Sequence, residues 1–210
     1  MKNGGIKNLL FDLGGVILDL DKQKCFDSFT ELGVDLNGHG LGFYGQKGLL
    51  GELELGLIDE ADFYERFREE YGTNADNASI KRAWNSFLIG IPAGRLEFLK
   101  ILKQNYNMFL LSNTSKIHHD YWHPMFSYDS QRQGANYFFD GIYCSYMSQV
   151  AKPDRKAFEN VITRTGIVPE ETLFFDDSEA NVKAASEMGF KTVLIPEGEK
   201  LEVIYIDKLV

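Results

Sequence analysis

The chain has 210 residues, a hydrophobic content of 44% and a charged content of 25%, ordinary values for a folded globular protein that exclude wholesale disorder and a fibrous architecture. Its formal net charge of -9 argues against a nucleic-acid or anionic-membrane partner, because both would repel the protein. We therefore expect a small ligand as partner and, if that ligand carries phosphate, a metal site that offsets the repulsion.

The N-terminal residues run directly into a short apolar segment without a cleavage-like region, and no apolar stretch approaches ~18 residues. We expect a cytoplasmic protein that is a monomer or a weak homodimer and does not contact membranes. Its two cysteines, Cys25 and Cys144, lie far apart and outside any CxxC spacing, which predicts buried thiols and supports neither a disulfide framework nor a zinc site.

Compact apolar runs alternate with helical patterns along most of the chain. The runs predict strands at 6–12, 107–112, 142–145, 172–176 and 191–195, and the patterns between them predict helices at 93–105, 154–165 and 179–188. Strands joined by helices of this length need crossover connections, and hence form a largely parallel sheet that is covered on both faces. The sequence therefore predicts a doubly wound, Rossmann-like α/β core.

Residues 19–91 interrupt this alternation. Helical patterns here cover 22–32, 59–71 and 77–88, with no convincing strand. Asp59 is a candidate N-cap for the second of these helices. We predict a small helical cap domain at 19–91, inserted into an α/β catalytic core that comprises 1–18 and 92–210.

Polar side chains stand where several of the predicted strands end: Asp12, Ser112 and the pair Asp176–Asp177. In open parallel sheets, ligands bind beyond the carboxyl ends of the strands. Three carboxylates at one sheet edge repel one another unless a cation lies among them, and oxygen ligands without His or Cys favour Mg²⁺. The sequence therefore predicts a magnesium site at this edge.

Each of these residues also has an ordinary structural explanation. An aspartate after a strand commonly caps a helix, residues 112–114 fit an ordinary strand-to-helix turn, and Lys152 fits an exposed surface lysine. The functional reading depends on their convergence. Beside the first strand, the Ser112 hydroxyl and nearby backbone N–H groups would hold phosphate oxygens at a helix N-terminus, and Lys152 would neutralise charge in a phosphoryl-transfer transition state.

The segments FDLGGV, LLSNT, AKPD and FFDDSEAN, in this order, resemble the four motifs of the haloacid dehalogenase superfamily. Each motif is weak alone, but four in order at strand ends form a specific pattern. The resemblance is greatest to bacterial sugar-phosphate phosphatases, including α-D-glucose-1-phosphate phosphatases, with a helical cap inserted after the first motif. It implies a Mg²⁺-dependent phosphatase that hydrolyses a small phosphorylated metabolite, a sugar phosphate, through an aspartyl-phosphate intermediate.

The resemblance also implies roles in catalysis and substrate binding. Asp12 would attack phosphorus and carry the phosphoryl group. Ser112, Asn113 and Lys152 would bind the phosphate, and Ser112 and Lys152 would hold it during transfer.

The same resemblance implies a set of metal ligands. Asp12, the backbone carbonyl of Gly14 and Asp177 would bind Mg²⁺. Asp176 would orient a metal-bound water, and Asn181 would steady the loop that carries the acidic pair.

Position 14 departs from the family pattern DxDx(T/V), whose second aspartate protonates the leaving group and later activates water, because Gly14 stands there. General acid–base catalysis contributes roughly 10²–10⁴-fold, so we expect slow turnover or a substrate that needs less help, such as a sugar 1-phosphate with its more acidic anomeric hydroxyl. The possible substitutes are Asp19, Asp21, His118 and His119. Asp21 is equally a candidate N-cap, and both histidines are predicted to lie on the polar surface.

The sequence leaves open the role of one segment and the identity of the residues that select the substrate. Residues 118–143 are longer and more aromatic than a crossover needs, and we predict that they pack beneath the cap, with a dimer contact or the pocket mouth as alternatives. The cap residues that select the substrate are not identified by the sequence. The candidates are Phe43, Tyr44, Gln46, Lys47 and Glu52.

Two other functions remain compatible with the sequence. A dehalogenase of the same superfamily would use Asp12 to attack carbon without a metal, but the pair Asp176–Asp177 would then be an electrostatic liability. The missing acid at position 14 also leaves open a catalytically weak module that binds phosphorylated ligands or regulates another enzyme. Magnesium dependence and turnover separate the three functions.

Overall fold

Five parallel strands form the central sheet of the computed structural model, which describes residues 5–35, 47–127 and 134–203. The strands of the described chain are β1 (Asn8–Phe11), β2 (Asp19–Leu20), β3 (Leu88–Gly90), β4 (Asn107–Ser112), β5 (Gly141–Cys144), β6 (Thr172–Asp176) and β7 (Lys191–Leu194). The order across the central sheet is β5-β4-β1-β6-β7, and all four pairings are parallel. The predicted α/β fold is confirmed.

Every helix that the sequence predicted is present, and both of its ends lie within three residues of the predicted bounds. The α-helices are α1 (Lys22–Glu31), α2 (Gly48–Glu54), α3 (Glu60–Tyr71), α4 (Asn77–Asn85), α5 (Ala93–Lys103), α6 (Lys116–Trp122), α7 (Ser145–Ser148), α8 (Arg155–Thr165) and α9 (Glu179–Glu187). None of the helices in the described ranges is long and apolar enough to span a lipid bilayer.

Alternate side chains of β1 enter two different cores, one on each face of the sheet. Leu9 and Phe11 join the core that contains Leu99 of α5, whereas Leu10 joins the core that contains Phe158 of α8. All five side chains are fully buried, and each contributes roughly 1.5–3 kcal/mol of transfer free energy. Burial on both faces explains why the sequence of β1 is a continuous apolar run with no alternation.

Helices α1 to α4 share a separate hydrophobic cluster. Phe63, Phe67 and Tyr71 lie one above the other on α3, with ring centroids 5.5 and 4.6 Å apart, as their i, i+4, i+8 spacing predicts. The N-cap predictions are confirmed, because Asp21 accepts a hydrogen bond from Lys24 N and Asp59 accepts from Ala61 N and Asp62 N.

One prediction for the inserted segment was wrong. Strands β2 and β3 pair antiparallel at its two ends, whereas the sequence predicted no strand between residues 19 and 91. Strands of two and three residues are too short to show an alternating pattern.

The aromatic segment after α6 fills the core beside β1. Trp122, Phe126, Phe138 and Phe139 are buried in the cluster that contains Phe11, and residues 128–133 lie outside the described chain. These four side chains therefore pack in the core of the central sheet and not against the cluster of the inserted helices, which differs from the predicted packing beneath the cap. The two cysteines are buried and free, as predicted.

Candidate active site

Three adjacent strands bring the predicted site residues to one edge of the sheet. Asp12 follows β1, Ser112 ends β4, and Asp176 ends β6, and β1 lies between the other two. The backbone N–H of Asp12 donates to Phe175 O at 2.8 Å, which extends the β1–β6 ladder to the site. The parallel topology therefore produces the convergence that the sequence predicted.

Lys152 lies between two of these carboxylates. Its Nζ is 2.8 Å from Asp12 Oδ1 and 2.7 Å from Asp176 Oδ2, and the residue is only 3% exposed. Burial alone would lower the pKa of Lys152, but the two carboxylates outweigh it and the pKa is raised. The lysine is therefore a buried ammonium, and the alternative explanation as a surface lysine is excluded.

Asn113 fixes the backbone of this lysine. Its Nδ2 donates to Lys152 O, and its Oδ1 accepts from Lys152 N, both at 2.9 Å. A side-chain amide that pairs with both backbone groups of another residue holds that residue in one orientation. Asn113, which was predicted to bind the substrate, thus uses its side chain to position Lys152.

Asp176 is fully buried and organises the loop that follows β6. Its Oδ2 accepts from Lys152, and its Oδ1 accepts from Ser178 N and from Asn181 Nδ2, both at 2.9 Å. Asn181, at the start of α9, therefore fastens the loop that carries Asp177. The neighbouring Asp177 is half-buried and lines the pocket.

The donor set of this edge fits a hard divalent cation. Asp12, Asp176 and Asp177 each offer a carboxylate oxygen, and these oxygens lie within 4.8 Å of one another. Burial and the two neighbouring carboxylates raise the pKa of Asp12 to about 7, although Lys152 opposes this shift. Lys152 thus offsets only part of the negative charge, and an oxygen-bound ion such as Mg²⁺ would offset the remainder.

Residues 6–189 match the model of the haloacid dehalogenase-like hydrolases. The chain belongs to this family. The resemblance inferred from the four motifs is confirmed.

Three comparisons with bacterial proteins show how far the similarity extends. The D-ribitol-5-phosphate phosphatase of Bacteroides thetaiotaomicron is 32% identical over 187 residues, which cover 89% of this chain and 90% of that protein. An aspartate-to-alanine variant of a haloacid dehalogenase family enzyme from the same organism, solved with magnesium and inorganic phosphate, has a TM-score of 0.86 and 37% identity, covering 92% and 96% of the two chains. A family hydrolase of Porphyromonas gingivalis has a TM-score of 0.85 and 33% identity, covering 93% and 94%.

Gly15, within the segment FDLGGV, has a backbone conformation that favours glycine. Gly15 has a φ of +71°, and a Cβ there would collide with the Asp177 carboxylate. We expect Gly15→Ala to lower the free energy of unfolding by about 1–3 kcal/mol and to lower turnover, because the methyl group displaces Asp177. Gly33→Ala is the matched control, since Gly33 has a φ of +75° with open space around it. Thermal unfolding and phosphate release measure both effects, and equal activity in the two variants would contradict the prediction.

A pocket of about 340 Å³ includes the carboxylates of Asp12 and Asp177 and the side chain of Lys152 in its lining. Ser112 also lines it. The apolar part of the lining is formed by Leu18, Leu20, Trp84, Phe87, Leu88 and Trp122. Apolar side chains beside charged groups exclude water from a bound phosphate ester and strengthen the electrostatic interactions in the pocket.

The prediction that His118 lies on the polar surface was wrong. The residue is 4% exposed and lines the pocket, and its ring stacks on Trp84 at a centroid distance of 4.5 Å. Burial lowers the pKa of His118 to about 4, so the ring is neutral and Nε2–H donates to Trp84 O at 3.1 Å. His119 is half-buried and its ring contacts Trp122 edge-on, at a centroid distance of 4.8 Å.

Glu54, the last residue of α2, is a pocket residue that the sequence did not reveal. Of the cap candidates, Phe43, Tyr44 and Gln46 lie outside the described residues, Lys47 is exposed, and Glu52 pairs with Arg66 away from the pocket. One signal could have identified Glu54. A carboxylate at the C-terminal end of a helix opposes the helix dipole, so an acid there calls for another explanation.

Proposed function

We propose that this chain is a magnesium-dependent phosphatase that hydrolyses a phosphate monoester of a small sugar or polyol through an aspartyl-phosphate intermediate. One observation carries the proposal: Asp12 Oδ1 lies 2.8 Å from the buried ammonium of Lys152, and a carboxylate oxygen of Asp12 lies within 4.8 Å of oxygens of two further carboxylates. This arrangement combines a nucleophile, a phosphate-binding cation and ligands for a second cation. The relatives solved with magnesium and phosphate support it.

The nucleophile and the phosphate ligands have separate tasks in this proposal. Asp12 attacks phosphorus in line with the departing oxygen and forms an acyl phosphate, which water then hydrolyses. Lys152 and the Ser112 hydroxyl bind the non-bridging oxygens, and Asn113 contributes its backbone, because its side chain holds Lys152 in place.

The proposed metal ligands are Asp12, Asp177 and the carbonyl of Gly14. Bound Mg²⁺ neutralises charge on the phosphate and lets a carboxylate approach a dianion. Asp176 acts in our proposal through its contacts with Lys152, Ser178 and Asn181. It thereby positions both the ammonium and the loop that carries Asp177.

The proposal also divides the chain into a helical cap, residues 19–91, and a catalytic core, residues 1–18 and 92–210. The separate hydrophobic cluster of α1 to α4 supports it, and the position of Glu54 in the pocket suggests that the cap contributes to substrate selection. A monomeric or weakly dimeric state and a cytoplasmic location stay predictions.

Phosphatase activity accounts for the site better than the alternatives. A metal-free dehalogenase site would hold Asp12, Asp176 and Asp177 together without a second cation, at a high electrostatic cost. A module that only binds phosphorylated ligands has no need of a nucleophile whose carboxylate is already held by Lys152. The name of the ribitol-phosphate phosphatase supports a sugar or polyol ester as substrate.

Substrate class and metal dependence are tested together. We expect the purified protein to release phosphate from a panel of polyol, pentose and hexose phosphates when Mg²⁺ is present, and to lose this activity with excess chelator. Polyol and pentose 5-phosphates should rank above nucleotides, in line with the similarity to a ribitol-phosphate phosphatase. Sugar 1-phosphates belong in the panel, because the missing acid at position 14 favours them.

A metal-binding measurement independent of turnover serves as the control. Mg²⁺ at 100 times its dissociation constant adds about 2.7 kcal/mol to the free energy of unfolding, and Asp177→Asn should abolish this gain. Release of halide from haloacids without a metal would favour the dehalogenase. Saturable binding with no turnover of any ester would favour the binding module.

A further inference from the structure

The described pocket contains three carboxyl groups, those of Asp12, Asp177 and Glu54. The first two have tasks in the proposed function, as nucleophile and metal ligand. Glu54 has none, although it comes from a different part of the chain and shares the same pocket. A carboxyl group in a substrate pocket with an apolar wall is desolvated, and a protein does not usually retain one there without a partner or a task.

The residues assigned to the proposed reaction so far include no general acid. An alkoxide that leaves from a polyol or sugar phosphate is a strong base, so it needs a proton as the phosphorus–oxygen bond breaks. Position 14, where the family pattern has the acid, is Gly14 in this chain. The other acids near the first strand have structural tasks, because Asp19 pairs with Arg95 at 2.8 Å and Asp21 caps α1.

We propose that Glu54 is the general acid that protonates the leaving alcohol and then the general base that activates water. This inference rests on the proposed phosphatase function and assigns the proton transfer that Gly14 cannot perform.

Contacts with the core fix the turn that carries Glu54. Ser145 Oγ donates to Glu54 O at 2.7 Å, and the next turn packs so closely that a Cβ on Gly56 would collide with Tyr146 O. Ser145 and Tyr146 begin α7, directly after β5. The last turn of α2 is thus anchored to the carboxyl edge of the sheet, where Asp12 lies.

The environment of Glu54 suits an acid that must carry a proton. Within the described chain, its carboxyl group forms no hydrogen bond or ion pair, and burial raises its pKa to about 8. The group is therefore protonated at neutral pH and ready to donate. His118 cannot replace it, because its pKa is lowered to about 4 and its Nε2–H is held by Trp84 O.

The proposed reaction has two steps, formation and hydrolysis of the acyl phosphate. In the first, Asp12 Oδ bonds to phosphorus, the bond from phosphorus to the ester oxygen breaks, and the Glu54 proton moves to that oxygen, so that the alcohol leaves and Glu54 becomes a carboxylate. In the second, the Glu54 carboxylate takes a proton from water, the resulting hydroxide oxygen bonds to phosphorus, and the bond from phosphorus to Asp12 breaks. Phosphate leaves, and both residues return to their starting states.

The test compares substrates that do and do not need the proton. In Glu54→Gln we expect kcat/KM for a polyol phosphate to fall by about 10²–10⁴-fold. For p-nitrophenyl phosphate, whose leaving group departs without a proton, kcat/KM should stay near the wild-type value. The steady-state kcat for p-nitrophenyl phosphate should nevertheless fall after a burst of nitrophenol, because hydrolysis of the acyl phosphate has lost its base.

Glu52→Gln is the matched control on the same helix, since Glu52 pairs with Arg66 outside the pocket. This variant should leave kcat/KM for both substrates unchanged. An equal loss of kcat/KM on both substrates in Glu54→Gln, or no loss on either, would overturn the proposal. A wild type that hydrolyses no phosphate ester would instead refute the proposed function.

A measurement on the unmodified protein covers the case in which Glu54→Gln does not fold. With an acid in place, wild-type kcat/KM should depend only weakly on the acidity of the leaving alcohol across a series of alkyl phosphates. A steep dependence, as expected for departure of an unprotonated alkoxide, would rule out Glu54 as the acid.

Discussion

Asp12→Asn is expected to abolish turnover, with a loss on the order of 10⁴–10⁶-fold. An amide cannot form the acyl phosphate, and it also removes a carboxylate from the proposed metal site. The measurement is phosphate release in saturating Mg²⁺, together with trapping of a hydroxylamine-sensitive acyl phosphate in the wild type but not in the variant. Comparable turnover in the two proteins would exclude the covalent mechanism.

The fold of this variant should remain intact, which separates lost chemistry from lost structure. The pKa of Asp12 is raised from 3.8 to about 7, so ionisation of this carboxyl lowers the stability of the metal-free protein as the pH rises between these values, and the full penalty is present above about pH 7. A neutral amide removes this penalty and leaves Lys152 paired with Asp176. In chelator above neutral pH we therefore expect the variant to be at least as stable as the wild type. Asp27→Asn, at an exposed position of α1, is a control that should change neither property.

The sequence was sufficient for the parts of the site that lie on the sheet. Asp12, Ser112 and Asp176 end apolar runs, and parallel topology places such ends at a common edge. The order of the strands was not predictable in the same way. That β1 lies between β4 and β6 depends on how the helices cover both faces, which involves contacts far apart in sequence.

Local signals also predicted the helix starts well. Asp21 and Asp59 cap α1 and α3 through hydrogen bonds to backbone N–H groups two or three residues away. A cap needs only the adjacent turn, so the sequence contains all of its determinants. The role of Asn113 shows the contrast, because its side chain contacts Lys152, a residue that a separate motif supplies.

The positions of Glu54 and His118 in the pocket were not predictable from periodicity. Glu54 and His118 belong to short helices of seven residues, whose placement depends on tertiary contacts such as that of Ser145 with Glu54 O. His118 was expected at the surface because histidine is usually polar and exposed, but stacking on Trp84 and the bond to its carbonyl compensate for burial. Whether a residue of the segment between β2 and β3 lines the pocket depends on how that segment packs against the central sheet, and such long-range contacts leave no local pattern in the sequence.

Lys152→Ala should be both inactive and unstable. The substitution leaves the carboxylates of Asp12 and Asp176 buried without their cation, and breaking a buried ion pair from one side costs about 3–5 kcal/mol. At 2–4 °C per kcal/mol for a chain of this size, the melting temperature in chelator should fall by roughly 6–20 °C. Lys156→Ala, at an exposed position in the first turn of α8, should leave it unchanged.

The pH dependence of the stability lost in Lys152→Ala provides a second check on the cause of that loss. With Lys152 absent, nothing opposes the burial and repulsion that raise the pKa of Asp12, so this carboxyl is protonated over a wider pH range. Protonated carboxyls need no cation. The deficit in stability relative to the wild type should therefore be smaller near about pH 5 than near about pH 8. A deficit that does not vary with pH would indicate lost packing of the lysine chain, and an unchanged melting temperature would show that Lys152 does not stabilise the carboxylate pair.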